Sequence, residues 1–250
     1  MTDQPHIASE TAEHPRRLAV LVSGNGSNLQ ALIDSWPHQS SCQHRGQLAL
    51  VLSNRPGVYA LERAQQAGIP QHVIDHTVFS DRAAFDTQLS ETLLAHRIDL
   101  IVLAGFMRIL TDHFISTWQG RIVNVHPSLL PEYRGLHTHQ RVLADGKTQH
   151  GCSVHLVVPE LDAGPLIAQA RLPILPNDTP ASLQNRVQDL EHKLYPFAIA
   201  WVLNQAELPY NTSVNSESIA APLGCLEAET LQQAWQNWQE TGRVLPHATS

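Results

Sequence analysis

An open, mostly parallel twisted sheet with helices on both faces, an α/β architecture, is the fold class this sequence predicts. Three observations carry that expectation. Short apolar runs alternate with amphipathic helical patterns from residue 18 to residue 125, in the order βαβαβαβαβ, which suits parallel strands joined by crossover helices. A glycine-rich turn, Ser23-Gly24-Asn25-Gly26-Ser27-Asn28, separates the first apolar run from the first helix. At 250 residues, 42% hydrophobic and 16% charged, the chain suits one large domain with an appendage.

Each element has a local reason. Residues 1–16 are polar and unpatterned, and a disordered tail is expected there. Residues 18–22 read as a buried strand, 27–36 as a helix and 47–52 as the second strand. A helix over 59–67 stops at Gly68 and Pro70. A short strand follows at 72–74. Ser80-Asp81 can cap a long helix to about residue 96, with Phe85, Leu89, Leu93 and Leu94 assigned to one face. Then come a strand at 99–104, a helix at 112–118 and a strand at 121–125. Prolines and glycines break the pattern over 126–138. Residues 150–158 and 165–172 read as neighbouring strands joined by a turn, and 180–203 as a long helix. After Leu208-Pro209 the Asn, Ser and Thr content marks a linker. A helix over 226–240 places Leu231, Ala234, Trp235 and Trp238 on one face, docked on the parent domain or on a second copy. The expected parts are a tail (1–16), a main domain (17–206) and a C-terminal extension (207–250).

Composition excludes several classes. Lys and Arg number 16 against 23 Asp and Glu, a formal net charge of −7, which is the wrong sign for general nucleic-acid binding. Cys42, Cys152 and Cys225 are widely spaced, with no C-x-x-C pair, as suits a reducing cytoplasm. The N-terminus has no apolar signal region, and the best apolar run, 100–107, is far below the ~20 residues of a membrane span. A cytoplasmic monomer or homodimer without nucleic-acid or membrane partners is expected. The 15 histidines invite a metal reading. His137 with His139, or His150 and His155 with Cys152, are the candidates. H-E-x-x-H is absent, and His150 and His155 face opposite sides of a strand, so no metal is expected.

The glycine turn departs from known nucleotide motifs. The third glycine of G-x-G-x-x-G would be residue 29, which is Leu29, and the second strand ends in Ser53-Asn54 rather than an acid. There is no Gly-Lys-Ser/Thr either. A phosphate held by Gly26, Ser27 and Asn28 at the helix start is one reading. A tight turn without a ligand is the other.

Asn124 and His126 are two apart at a strand end and so point to the same side. Glu160-Leu161-Asp162-Ala163-Gly164-Pro165 is an acidic turn after a later strand. An acid brought near His126 would hold it cationic, and Asn plus imidazolium is a suitable donor pair for an oxyanion. A lone His at a strand end is, however, more often structural, and Asp162 before Gly164 is a normal turn residue. A serine hydrolase is disfavoured by the lack of G-x-S-x-G.

Six co-linear stretches carry a resemblance. They begin with Ser23-Gly24-Asn25-Gly26-Ser27-Asn28-Leu29-Gln30 and continue with Gly105-Phe106-Met107-Arg108-Ile109-Leu110. Next come Asn124-Val125-His126-Pro127-Ser128 with Gly135-Leu136-His137-Thr138-His139, then His150-Gly151-Cys152-Ser153-Val154-His155. The acidic turn at 160–165 and Glu191-His192-Lys193-Leu194-Tyr195-Pro196 complete them. Over about residues 17–205 the chain resembles the phosphoribosylglycinamide formyltransferase family. That resemblance implies a formyltransferase fold with a Rossmann-like N-terminal half. It implies formyl transfer from 10-formyltetrahydrofolate, the co-substrate, to the amine of phosphoribosylglycinamide in purine biosynthesis. It further implies Asn124, His126 and Asp162 as the catalytic trio, Gly26, Ser27 and Asn28 around the substrate phosphate, and Glu191 at the ribose or amine. Arg82, Met107, Arg108, Ile109 and Leu110 fall on the folate side, with the 160–162 loop closing over the pterin. Arg134 stands where several relatives have proline or lysine. Formyltetrahydrofolate deformylase and methionyl-tRNA formyltransferase share the core, but each adds a domain for which these flanks are too short.

Overall fold

The computed structural model describes residues 15–36, 46–205, 223–241 and 244. Most of the expected tail, Cys42 and the linker up to residue 222 lie outside the described residues. In chain order the elements are β1 (Arg16–Val22), α1 (Ser27–Ser35), β2 (Gly46–Ser53), α2 (Tyr59–Gln66), β3 (Gln71–Val73), α3 (Arg82–Ala95), β4 (Leu100–Leu103) and α4 (Asp112–Thr117). They continue with β5 (Ile122–His126), α5 (Thr138–Ala144), β6 (Gln149–Leu156), β7 (Leu166–Pro173), α6 (Pro180–Asn204), β8 (Cys225–Glu227) and α7 (Ala228–Thr241). The strands form one sheet in the order β3-β2-β1-β4-β5-β6-β7-β8. Pairing is parallel from β3 through β5 and again at β7–β8. It is antiparallel at β5–β6 and β6–β7. Strand order reverses between β1 and β4, which opens a crevice at their carboxyl ends.

Apolar residues cover both sheet faces. One layer packs Leu18, Val20 and Val102 under α1, α2, α6 and α7; the other packs Ala19, Leu21 and Ile101 under α3 and α4. Alternate residues of β1 and β4 thus face opposite layers, as strand geometry requires. Asp81 caps α3 by accepting from Ala84 N at 2.9 Å. A Thr179–Ser182 capping box with Pro180 at the first turn starts α6. The fully buried Tyr195 of α6 donates its hydroxyl to Leu103 O and Val123 O, both at 3.0 Å, and so ties α6 to the ends of β4 and β5.

Some expectations need correction. Leu94 does not share the buried face of Phe85, Leu89 and Leu93; it is 57% exposed. Nine residues from Phe85, at 100° each, put it on the opposite side of α3. α5 and β8 were not anticipated. α5 follows a proline-rich loop without a strong apolar period, and β8 is three residues long. The C-terminal helix docks on the parent domain: Leu231 and Trp238 are buried, and Trp238 meets Phe197 of α6 edge-on at 6.2 Å.

Candidate active site

The loops after β1, β4 and β5 converge at the carboxyl edge of the parallel strands, and the loop after the antiparallel β6 leaves beside the start of β5 and folds back to His126. The glycine turn leaves β1 there. Gly26 has φ +75°, and a Cβ on it would lie 2.6 Å from Ala60 Cβ, so only glycine lets α1 seat against α2. No side chain caps α1, which leaves its first-turn N–H groups available to an anion. Two residues of α6 fix the turn. Gln188 Nε2 donates to Ser27 Oγ at 2.8 Å, and Asn28 Nδ2 donates to Glu191 Oε2 at 2.9 Å. Burial pushes the Glu191 carboxyl up to about 7, against the pull of the Asn28 hydrogen bond. The Ser23 hydroxyl donates to Asn54 Oδ1 at 2.6 Å and accepts from Met107 N at 2.8 Å, which joins the glycine turn to the loop after β4.

β5 and β6 build the next part. In their antiparallel register Asn124 is opposite His155 and His126 is opposite Ser153. Directly opposed residues share a face, and Asn124 Nδ2 lies 3.2 Å from His155 Nε2. His155 Nδ1 donates to Leu156 O at 2.8 Å. In the neutral ring Nε2 is then an acceptor, which orients the Asn124 amide with its NH2 toward His155. Burial lowers the His155 pKa, which favours that neutral form, while its bond to Leu156 and the Asp162 charge pull the other way.

Asp162 reaches the same place from the loop between β6 and β7. Its φ is +48°, and a Cβ at the neighbouring Gly164 would sit 1.8 Å from Leu156 O, so the loop folds down on β6 only with glycine there. Asp162 Oδ2 accepts from Gly135 N at 2.9 Å and faces His126 Nδ1 at 3.4 Å; Oδ1 lies 3.8 Å from His155 Nε2. His126 and Asp162 side chains are 7% and 10% exposed, so an interaction between them meets little solvent screening.

A cavity of about 810 Å³ opens over this cluster. Asn124, His126, His155 and Asp162 line it together with Met107, Arg108, Ile109, Leu136 and Leu161. Met107, Ile109, Leu136 and Leu161 are all more than half exposed, an apolar wall with a few convergent polar groups at its base. Leu110 also lines the cavity but is itself buried. The Arg108 guanidinium lies 4.7 Å from the Phe85 ring centroid, and its buried Nε has no protein partner. Arg82 is not part of this wall; it is exposed at the first turn of α3.

The residues weighed for a metal are arranged otherwise. His139 Nδ1 and His150 Nε2 pair at 3.0 Å, and Cys152 is buried in the core. Burial lowers the His139 pKa, and pushes the His150 pKa down to about 4. Among the described residues no three His, Cys, Asp or Glu side chains gather to hold a metal ion.

The formyl transferase family model matches residues 16–199. The phosphoribosylglycinamide formyltransferase of Escherichia coli is 46% identical over 184 residues, 74% of this chain and 85% of that protein. The chain belongs to the phosphoribosylglycinamide formyltransferase family. The trifunctional purine biosynthetic protein adenosine-3 of Drosophila melanogaster is 48% identical over 197 residues, 79% of this chain. The chain spans only 14% of that relative's length. Among solved structures, the family member from Coxiella burnetii is 50% identical with a TM-score of 0.69, covering 75% of this chain and 87% of that one. The one from Bacillus halodurans is 34% identical with a TM-score of 0.72, covering 79% and 100%.

Within this family member the structure brings Asn124, His126 and Asp162 together, and joins Gly26, Ser27, Asn28 and Glu191 in a second group. Sequence reasoning missed Gln188, and gave His155 no role beyond a possible metal ligand and a place in the 150–155 stretch. The Asn124–His155 pairing depends on a strand register that no local motif encodes.

Proposed function

We propose that the chain transfers a formyl group from 10-formyltetrahydrofolate to the amine of phosphoribosylglycinamide. One observation carries this reading: Asn124, His126 and Asp162 converge at the base of the 810 Å³ cavity beside a glycine turn with uncapped helix N–H groups. The apolar wall of Met107, Ile109, Leu136 and Leu161 suits a flat aromatic ligand of drug-like size. The N–H groups at Gly26, Ser27 and Asn28 suit a phosphate, and Glu191 suits a ribose hydroxyl or an amine. In this reading the folate side includes Met107 to Leu110, while Arg82 contributes only long-range charge.

The chemistry is attack of a neutral amine on the formyl carbon, with negative charge developing on the formyl oxygen; as that oxyanion collapses, the bond from the formyl carbon to the folate N10 breaks and N10 takes up the proton the amine releases, leaving tetrahydrofolate and the N-formyl product. Asn124 has its amide oriented by His155, so it donates without reorganisation. His126, when Nδ1 carries a proton, is a charged donor. Asp162 stabilises that imidazolium and accepts the proton lost by the amine, directly or through water. No covalent intermediate on the protein is required. The test measures formyl transfer with the glycinamide ribonucleotide and with water alone as acceptors. Transfer dependent on the nucleotide is expected. Hydrolysis of the formyl donor at the same rate without the nucleotide, or wild-type turnover in both His126→Ala and Asp162→Ala, would overturn the reading.

A further inference from the structure

His126 is held on two sides, and one of the holding groups has a scaffold of its own. His126 Nε2 lies 2.9 Å from Tyr133 O. A carbonyl can only accept, so Nε2 donates to it, and Nδ1 is left facing Asp162. The place of that carbonyl depends on the Tyr133 backbone. Its φ is +55°, a left-handed conformation that costs energy for any residue with a bulky side chain.

The surroundings over-determine that conformation. The Tyr133 hydroxyl donates to Asp145 Oδ2 at 2.8 Å. The Arg141 guanidinium lies 5.3 Å and Lys147 Nζ 6.0 Å from the ring centroid. Arg141 also donates to Arg134 O at 2.7 Å, and Lys147 pairs with Glu132 at 3.0 Å. All three anchors, Arg141, Asp145 and Lys147, belong to α5 or to the turn that ends it. That helix lends no side chain to the proposed chemistry beyond lining the cavity, yet it grips the loop bearing the carbonyl.

We propose that Tyr133 is a positioning residue for His126: its hydrogen bond to Asp145 latches the 131–137 loop so that the Tyr133 carbonyl fixes the imidazole with Nδ1 toward the reacting atoms. The effect on turnover rests on the formyl-transfer reading; the effect on the ring does not. Without the latch the carbonyl drifts, Nε2 loses its fixed acceptor and the neutral ring populates both tautomers. Misplacing a catalytic group by an ångström costs up to about 10² in rate, and a loosened loop should cost about tenfold.

The experiment compares Tyr133→Phe, Asp145→Ala, the double variant and Asp145→Asn in the full chain. Tyr133→Phe and Asp145→Ala are each expected to lower kcat about tenfold and leave both KM values within about twofold. The double variant should be no worse than either single variant, and Asp145→Asn, which keeps an acceptor oxygen, should restore most of the rate. In parallel, 15N NMR of the ligand-free protein, with His126 assigned by its loss in His126→Gln, should find the neutral ring protonated on Nε2 in the wild type and a tautomer mixture in Tyr133→Phe. Wild-type kcat in Tyr133→Phe, an unchanged tautomer, or multiplying losses in the double variant would each overturn the proposal. A wild-type protein inactive in formyl transfer, whose His126 tautomer still shifts in Tyr133→Phe, would sink the functional reading and leave the latch standing.

Discussion

Replacing Glu191 with Gln should stabilise the protein at pH 8 and leave its stability almost unchanged at pH 4. The Glu191 carboxyl is 8% exposed on α6, and burial raises it from 4.5 to about 7. The sign follows from proton counting. Between those two values the unfolded chain has released this proton and the folded chain retains it, so stability falls as pH rises across that window. A shift of that size, at about 1.4 kcal/mol per unit, amounts to about 3 kcal/mol. The contribution is fully present below pH 4.5 and is lost as pH rises through 7. Glutamine keeps an acceptor for Asn28 but carries no ionisable proton. Urea denaturation of both proteins at pH 4, 5, 6, 7 and 8 reads the effect. The variant's advantage should grow with pH toward about 3 kcal/mol. Subtracting the two curves removes the contributions of the histidines, which both proteins share. Parallel curves, or an advantage that shrinks as pH rises, would refute the assigned burial cost. The same variant should bind the nucleotide more weakly, since a buried carboxylate beside Asn28 is retained at a cost in stability where function needs it.

Other outcomes follow from the same geometry. Asn124→Ala should lose a factor of about 10²–10³ in kcat, the usual cost of one oxyanion donor, with both KM values little changed; steady-state kinetics checks this. His150→Asn should flatten the acid limb of stability. Burial lowers the His150 pKa to about 4, so its neutral form stabilises the fold above pH 6.5 and that stability is lost as pH falls through 4, which melting temperatures at pH 4–7 would reveal. Gly26→Ala should destabilise the fold by about 1–3 kcal/mol, because its Cβ would overlap Ala60 and its φ is +75°; chemical denaturation measures it. Arg108→Glu should weaken folate binding more than Arg82→Glu in a titration, because Arg108 lines the cavity and Arg82 does not.

Local sequence determined the individual elements because their causes are local. The apolar runs of β1, β2 and β4, the Asp81 cap and the Gly68-Pro70 stop act within a few residues, and the observed bounds follow them closely. The proposed site residues were legible for the same reason: Asn124 and His126 sit two apart on one strand, and the glycine turn opens a helix. What the chain alone did not determine was every relation across strands. The antiparallel entry of β6 beside β5 sets His155 against Asn124. The fold-back at Gly164 carries Asp162 to His126 across 36 residues of sequence. α6 reaches the glycine turn through Gln188 and Glu191, and α5 grips the loop at Tyr133. These contacts depend on register, crossover and packing, whose energies are summed over the whole core, so no short stretch of sequence contains them.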